Sequence, residues 1–172
     1  MRPRRVTILE LVTKGPTNAL YARVMNPNLA SIMPQVVAAW CEAEGHDVTH
    51  VCYTGFEDLV AELPADADLV FIGAFTEAAQ TAYALSSLFR SRGAVTALGG
   101  PHARCFPEDA ASYFDYVFGF TDRTLLREVL ADEEFLDQGV VRLRRQFDEL
   151  ALGGQDLLRH RRRDLLGAQH VD

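Results

Sequence analysis

No apolar run in this sequence approaches the roughly 18 residues that a helix needs to cross a bilayer, so no membrane-spanning helix is expected. The first residues, Met1-Arg2-Pro3-Arg4-Arg5, lead into a strand-like segment without a signal-peptide cleavage pattern, and a cytoplasmic protein is the expectation. Cysteine is scarce. Cys41, Cys52 and Cys105 are odd in number and widely spaced, which suits neither a disulfide framework nor a metal cluster, and each reads as a small apolar residue. Positive charge is also in short supply: a formal net charge of −7 argues against non-specific nucleic-acid binding by the body of the protein. The basic residues that exist collect late. Val141 to Asp172 holds seven arginines against five acids, about +2, leaving about −9 for the rest. Within it, Arg159-His160-Arg161-Arg162-Arg163 is either a solvated run or a grip for phosphate, lipid or an acidic partner.

The 172 residues, 48% of them hydrophobic, suffice for one domain with a real core, expected over 1–135, followed by a basic tail or linker over 136–172. Val6-Thr7-Ile8-Leu9-Glu10-Leu11-Val12 is β-rich and reads as apolar, the pattern of a central strand buried on both faces. Thr13 to Pro27 reads as a long loop and candidate ligand wall, with turn signals at Gly15-Pro16 and Asn26-Pro27. A helix follows, with Met33, Val36, Val37 and Trp40 on one face, Pro34 in its first turn, Ser31 as possible cap and Gly45 at its end. His46 to Tyr53 alternates polar and apolar residues as an edge strand does, and Phe56 to Leu63 reads as a short helix. Leu69 to Phe75 is the most continuous apolar strand. Thr76 is placed to cap the next helix, whose buried face is Ala78, Ala82, Leu85 and Phe89. Ala94 to Leu98 is a fourth strand, Pro107 to Phe114 a short helix, and Tyr116 to Phe118 a fifth strand. Thr121 would cap a last helix that buries Leu125, Leu126, Val129 and Leu130.

Five strands alternating with helices predict an α/β, flavodoxin-like doubly wound parallel sheet, a Rossmann-like three-layer sandwich, in the order 2-1-3-4-5. Ligands on such sheets bind at the carboxyl ends of the strands. That rule gathers Thr13, Gly15, Phe75, Thr76, Gly99, Gly100, Pro101, His102, Gly119, Phe120 and Thr121 as candidate cofactor-binding residues around one crevice. The adjacent Gly99 and Gly100 are the strongest signal among them, because two missing side chains let a bulky flat or phosphorylated ligand lie against bare backbone. His102 is read either as a contact to the bound ligand, proton donor or metal ligand, or as a turn histidine bonded to backbone. Glu77 and Asp122 complete the candidate catalytic set, Glu77 equally suiting the dipole of the helix it opens. His46 and His50 read as structural or surface residues.

Gly99-Gly100-Pro101-His102, then Pro107-Glu108-Asp109-Ala110, then Asp115-Tyr116-Val117-Phe118-Gly119 resembles the cobalamin-binding domain at the front of cobalamin-dependent radical S-adenosylmethionine proteins. Asn26 to Gln35 and Glu44-Gly45-His46-Asp47-Val48 are similar to that family's first helix and its approach to strand two, and Asp148 to Leu152 with Asp164 to Leu166 to its linker. The resemblance implies cobalamin or a related tetrapyrrole as cofactor. It carries departures: there is no Cys-x3-Cys-x2-Cys run, so no iron-sulfur cluster is expected in this chain, and no Asp-x-His-x-x-Gly loop, the matching segment being Lys14 to Leu20. After strand five the family's usual Gly-Glu-Gly-Glu is replaced by Gly119-Phe120-Thr121-Asp122.

The leading expectation is a stand-alone cobalamin-binding-like domain, a cofactor carrier or accessory subunit for a radical S-adenosylmethionine or methyl-transfer enzyme, with a partner enzyme or a homodimer as its company. Two other readings stand beside it. One is a cofactor-free enzyme using the emptied crevice for acid-base chemistry such as cyclisation or isomerisation, with His102 and Glu77 or Asp122 as its groups. The other is a binding module whose basic tail docks a partner.

Overall fold

The structure is a computed structural model that describes residues 3–13, 15 and 31–131. Contacts divide the chain into units Met1–Val140 and Val141–Asp172. The second unit, and with it the expected basic tail, lies outside the described residues, as does most of the expected loop after the first strand.

Five strands form one parallel sheet: β1 (Arg5–Leu11), β2 (Asp47–Tyr53), β3 (Leu69–Ala74), β4 (Val95–Gly99) and β5 (Tyr116–Val117). Their order is β2-β1-β3-β4-β5, the flavodoxin-like order that the apolar first and third strands and the polar second strand predict. β1 and β3 are buried almost throughout, whereas the first four residues of β2 include three exposed ones, as suits a strand at the edge. Among the described residues no helix is long and apolar enough to cross a membrane.

One face of the sheet is covered by α1 (Ile32–Ala43) and by the last helix, Arg123–Ala131, which joins Val129 and Leu130 to Val6, Ile8, Phe71 and Phe118 in a common core. The buried stripe of α1 is Val37, Ala38 and Cys41, one position round from the expected Met33, Val36, Val37 and Trp40. Two small residues let the helix axis approach β1, and Trp40 packs only partly buried at its edge.

The short helix expected over Phe56 to Leu63 is limited to α2 (Leu59–Glu62), because Glu57 binds the Thr54 N–H and hydroxyl and holds the preceding turn open. After β3, Thr76 does not cap a helix with its side chain; it opens a 3-10 turn, Thr76–Ala78, that runs into α3 (Ala79–Ser91). The buried face of α3 holds Ser86 where Leu85 was expected. Its hydroxyl pairs with Thr96 at 2.8 Å and donates to the Tyr113 carbonyl at 2.6 Å, so a polar residue is accommodated in the core by complete pairing. A short helix not expected from the sequence, α4 (Pro101–Cys105), follows the glycine turn, and the one expected over Pro107 to Phe114 is limited to α5 (Pro107–Ala110); each is begun by a proline. The last helix is α6 (Arg123–Ala131). Its cap is Asp122, whose Oδ1 accepts the Leu125 N–H at 2.8 Å, and not Thr121.

β5 has only two ladder residues and needs outside support. Asp115 supplies it by accepting the Thr96 N–H at 2.9 Å and pairing with Arg90 at 3.1 Å.

Gly100 turns the chain out of β4 at φ +94°, and a Cβ there would stand 2.9 Å from the Ala74 carbonyl oxygen. Gly99 next to it has open space on its side-chain side. Gly100→Ala is therefore expected to cost at least about 2 kcal/mol in denaturant unfolding, and Gly99→Ala to stay within about 0.5 kcal/mol of the parent. Equal effects of the two would contradict this placement.

Candidate functional site

In a parallel sheet, residues paired across neighbouring strands point to the same face. The register pairs Glu10 with Cys52 on β2 and with Gly73 on β3, and Gly73 in turn with Gly99 on β4. The row above the floor residues Ile8 and Phe71 thus carries a carboxylate followed by two positions with no side chain, on the face covered by α1. α1 reaches into this strip only with Pro34, whose Cγ would stand 3.4 Å from a Cβ at Gly73.

The result is a cavity of about 450 Å³ at the carboxyl ends of β1, β3 and β4. Its floor is Ile8, Val37, Phe71 and Phe118; its rim includes Met33, Phe75, Pro101, Phe120 and Thr121. The walls are mostly apolar. Among the described residues two charged ones line it: Glu10, inside, and Arg104, whose guanidinium stacks over the exposed Phe120 ring at 4.0 Å.

Seven of the expected binding residues meet around this cavity: Phe75, Gly99, Gly100, Pro101, Gly119, Phe120 and Thr121. Thr13 and Gly15 follow β1, with the Thr13 hydroxyl facing the Gly15 carbonyl at 3.4 Å, and are not part of the lining. Nor are Thr76 and the three candidate catalytic residues. Glu77 is exposed in the 3-10 turn, and Asp122 is the exposed cap of α6.

His102 points the other way, into the layer under α3. It is 3% exposed, and its Nε2 lies 2.6 Å from the Tyr83 hydroxyl oxygen. That hydroxyl donates to Asp109 Oδ2 at 2.7 Å, so the imidazole Nε2–H donates to Tyr83, leaving Nδ1 as acceptor 3.4 Å from the Thr76 hydroxyl. The expected reading of His102 as a crevice group is corrected by this geometry: the helix begun at Pro101 carries its ring to the face opposite Glu10. Its partners are side chains, not the backbone. Among the described residues no group of three or more His, Cys, Asp or Glu is placed to hold a metal ion.

Glu10 is the site residue that the sequence did not disclose, since it stands in a strand read as apolar. It is 2% exposed, Oε1 accepts the Ser31 N–H at 2.5 Å, and Oε2 has no hydrogen-bond partner among the described residues. Ser31, expected as a cap of α1 through its side chain, makes no such bond. The Cys52 thiol beside Glu10 is pushed up to about 11, by burial first and then by the Glu10 and Glu57 carboxylates, so it stays protonated. A buried oxygen without a partner costs about 1–3 kcal/mol, more when charged, which no packing consideration at this position demands.

No family model, no curated protein and no solved structure matches this chain.

The two buried imidazoles set a pH dependence. Burial pushes His102 below its ordinary value of 6.5, against a smaller opposing pull from Asp109, and burial followed by the Arg4 charge does the same to His46. Below pH 6.5 the unfolded chain then binds more protons than the folded one, so stability falls as pH falls. Urea unfolding at pH 7.5 and 5.5 should show a lower unfolding free energy at 5.5, with a smaller difference in His102→Gln. Equal or greater stability of the parent at pH 5.5 would contradict the burial of neutral imidazoles.

Proposed function

We propose that this chain is a ligand-binding module of the cobalamin-binding kind, a cytoplasmic carrier or accessory subunit that holds a corrin or related tetrapyrrole for a radical S-adenosylmethionine or methyl-transfer enzyme. The observation that carries the reading is the cavity beside Gly99, at the strand ends where doubly wound sheets bind ligands, with bare backbone along one wall.

The residues present suit a flat, largely apolar guest. Gly73 and Gly99 leave the space, Ile8, Phe71 and Phe118 give an apolar floor, and the exposed Phe75 and Phe120 extend the surface outward. A cavity of about 450 Å³ takes a flat bicyclic part of such a cofactor and leaves a whole ring system to the exposed rim. Thr121 and Arg104 offer polar contacts at that rim. When bound, a corrin supplies alkyl-transfer chemistry at its cobalt. The lining offers that metal no imidazole among the described residues, His102 being held by Tyr83 on the other face.

The cofactor-free alternative needed His102 with Glu77 or Asp122 around one crevice, and no observation favours that grouping.

Mixing the purified protein with hydroxocobalamin, desalting and recording the visible spectrum tests the proposal. Retained corrin absorbance approaching one equivalent is expected, with most of it lost in Gly99→Leu, which fills the strip without touching the Gly100 turn. No retained absorbance in the parent protein, or retention unchanged in a folded Gly99→Leu, would remove the reading.

A further inference from the structure

Glu10 lies deep in the cavity, next to the strip left by Gly73 and Gly99. Of its two carboxylate oxygens, Oε1 accepts the Ser31 N–H and Oε2 has no hydrogen-bond partner among the described residues, in a residue 2% exposed. Arg104, the cation of the lining, is held over Phe120 and forms no ion pair with it. The neighbouring Cys52 thiol, whose hydrogen bond to the Glu10 carboxylate adds to its raised pKa, is a weak donor, and a ligand N–H is the stronger partner. A deep acceptor with one lone site, surrounded by apolar walls, is complementary to a ligand with one hydrogen-bond donor on an otherwise apolar flat frame.

We infer that Glu10 is the polar anchor of this cavity, its Oε2 taking a hydrogen bond from a single N–H donor on the buried edge of a planar, otherwise apolar ligand. This deepens the reading of the cavity as a ligand site and depends on that reading, but not on the ligand being a corrin. The donor is one N–H directed at Oε2, the oxygen without a protein partner, Oε1 already accepting from Ser31. It is buried and not peripheral, because Glu10 stands beside Ile8 and Phe71 at the floor and not at the rim. A ligand with an acceptor on the same edge would face the carboxylate with no proton between them and be rejected.

Indole and benzofuran make the test, since they share size and shape and differ by one N–H against one ring oxygen. Hydrophobic transfer alone favours benzofuran, so a preference for indole reports the hydrogen bond. Affinities are measured by ligand-observed NMR titration on the full chain, with a thermal melt of every variant. Indole is expected to bind the parent protein about tenfold more tightly than benzofuran, the scale of one hydrogen bond to a charged acceptor. In Glu10→Leu the preference should vanish or reverse while benzofuran still binds, and the melting temperature should not fall, since the substitution removes a buried carboxylate. Glu10→Gln keeps an oxygen for Ser31 and presents an amide N–H₂ to the ligand, so it too should lose the preference for indole even if the leucine variant does not fold.

Equal affinities in the parent protein, binding of neither compound, or an indole preference that survives in Glu10→Gln would overturn the inference. A protein that retains no corrin but prefers indole through Glu10 loses the cobalamin reading and keeps this one. Corrin retention without any such preference does the reverse.

Discussion

The structure depends on one row of the parallel sheet, in which Glu10, Gly73 and Gly99 stand side by side on the face under α1. Register in a parallel sheet is shared by every side chain on a face, so a slip of one residue would replace this row by the buried Leu9 and Ile72 of the opposite face. With the register as it is, no side chain of the described residues stands against Gly99 for α1 to pack on at the strand ends. The chain then has to leave β4 across Ala74, and only a glycine at 100 can do so at φ +94°.

The two faces of the sheet treat polar groups differently. Under α3, Ser86 bonds Thr96 and Tyr113, while His102, Tyr83 and Asp109 form a chain closed at both bonds, and Tyr83 stacks on Tyr113 at 4.1 Å. Thr7, which shares a row with Val70 and Thr96, keeps a buried hydroxyl without a partner there, away from the lining of the cavity. Under α1 the carboxylate of Glu10 is buried beside open volume with one oxygen unpaired. Glu10 differs from Thr7 and His46, which also bury an unpartnered polar atom, in lining the cavity, and a polar group left wanting beside open volume is where a binding site is to be sought.

Much of this was legible in the residues. The apolar runs at β1, β3 and β4 and the alternation in β2 were enough for the strand order, and Gly99-Gly100 marked the edge that carries the cavity. What escaped was non-local. Glu10 looks like an interruption in an apolar strand, and only its pairing with Gly73 and Gly99, more than sixty residues away in the chain, makes it a cavity group. His102 sits beside Pro101 in sequence and on the opposite face in space, because the helix starting at Pro101 rotates successive side chains by about 100°. The α1 stripe was displaced by one position for a related reason: Ala38 and Cys41 are small, and close approach to β1 outweighed the larger Met33 and Trp40. The exchange of Thr121 for Asp122 as cap is a one-residue ambiguity between two good capping residues.

The claim under all of this is that a planar ligand lies against the glycine-bared carboxyl rim on the α1 face. Amide chemical shifts of a ¹⁵N-labelled protein titrated with hydroxocobalamin address it most directly, because glycine amides fall in their own part of the spectrum. Shifts concentrated at Gly73, Gly99, Gly100 and Gly119, with Ala79 to Phe89 of α3 undisturbed, are what the structure predicts. A spectrum that does not change, or one whose changes gather on α3 and around His102, would contradict it.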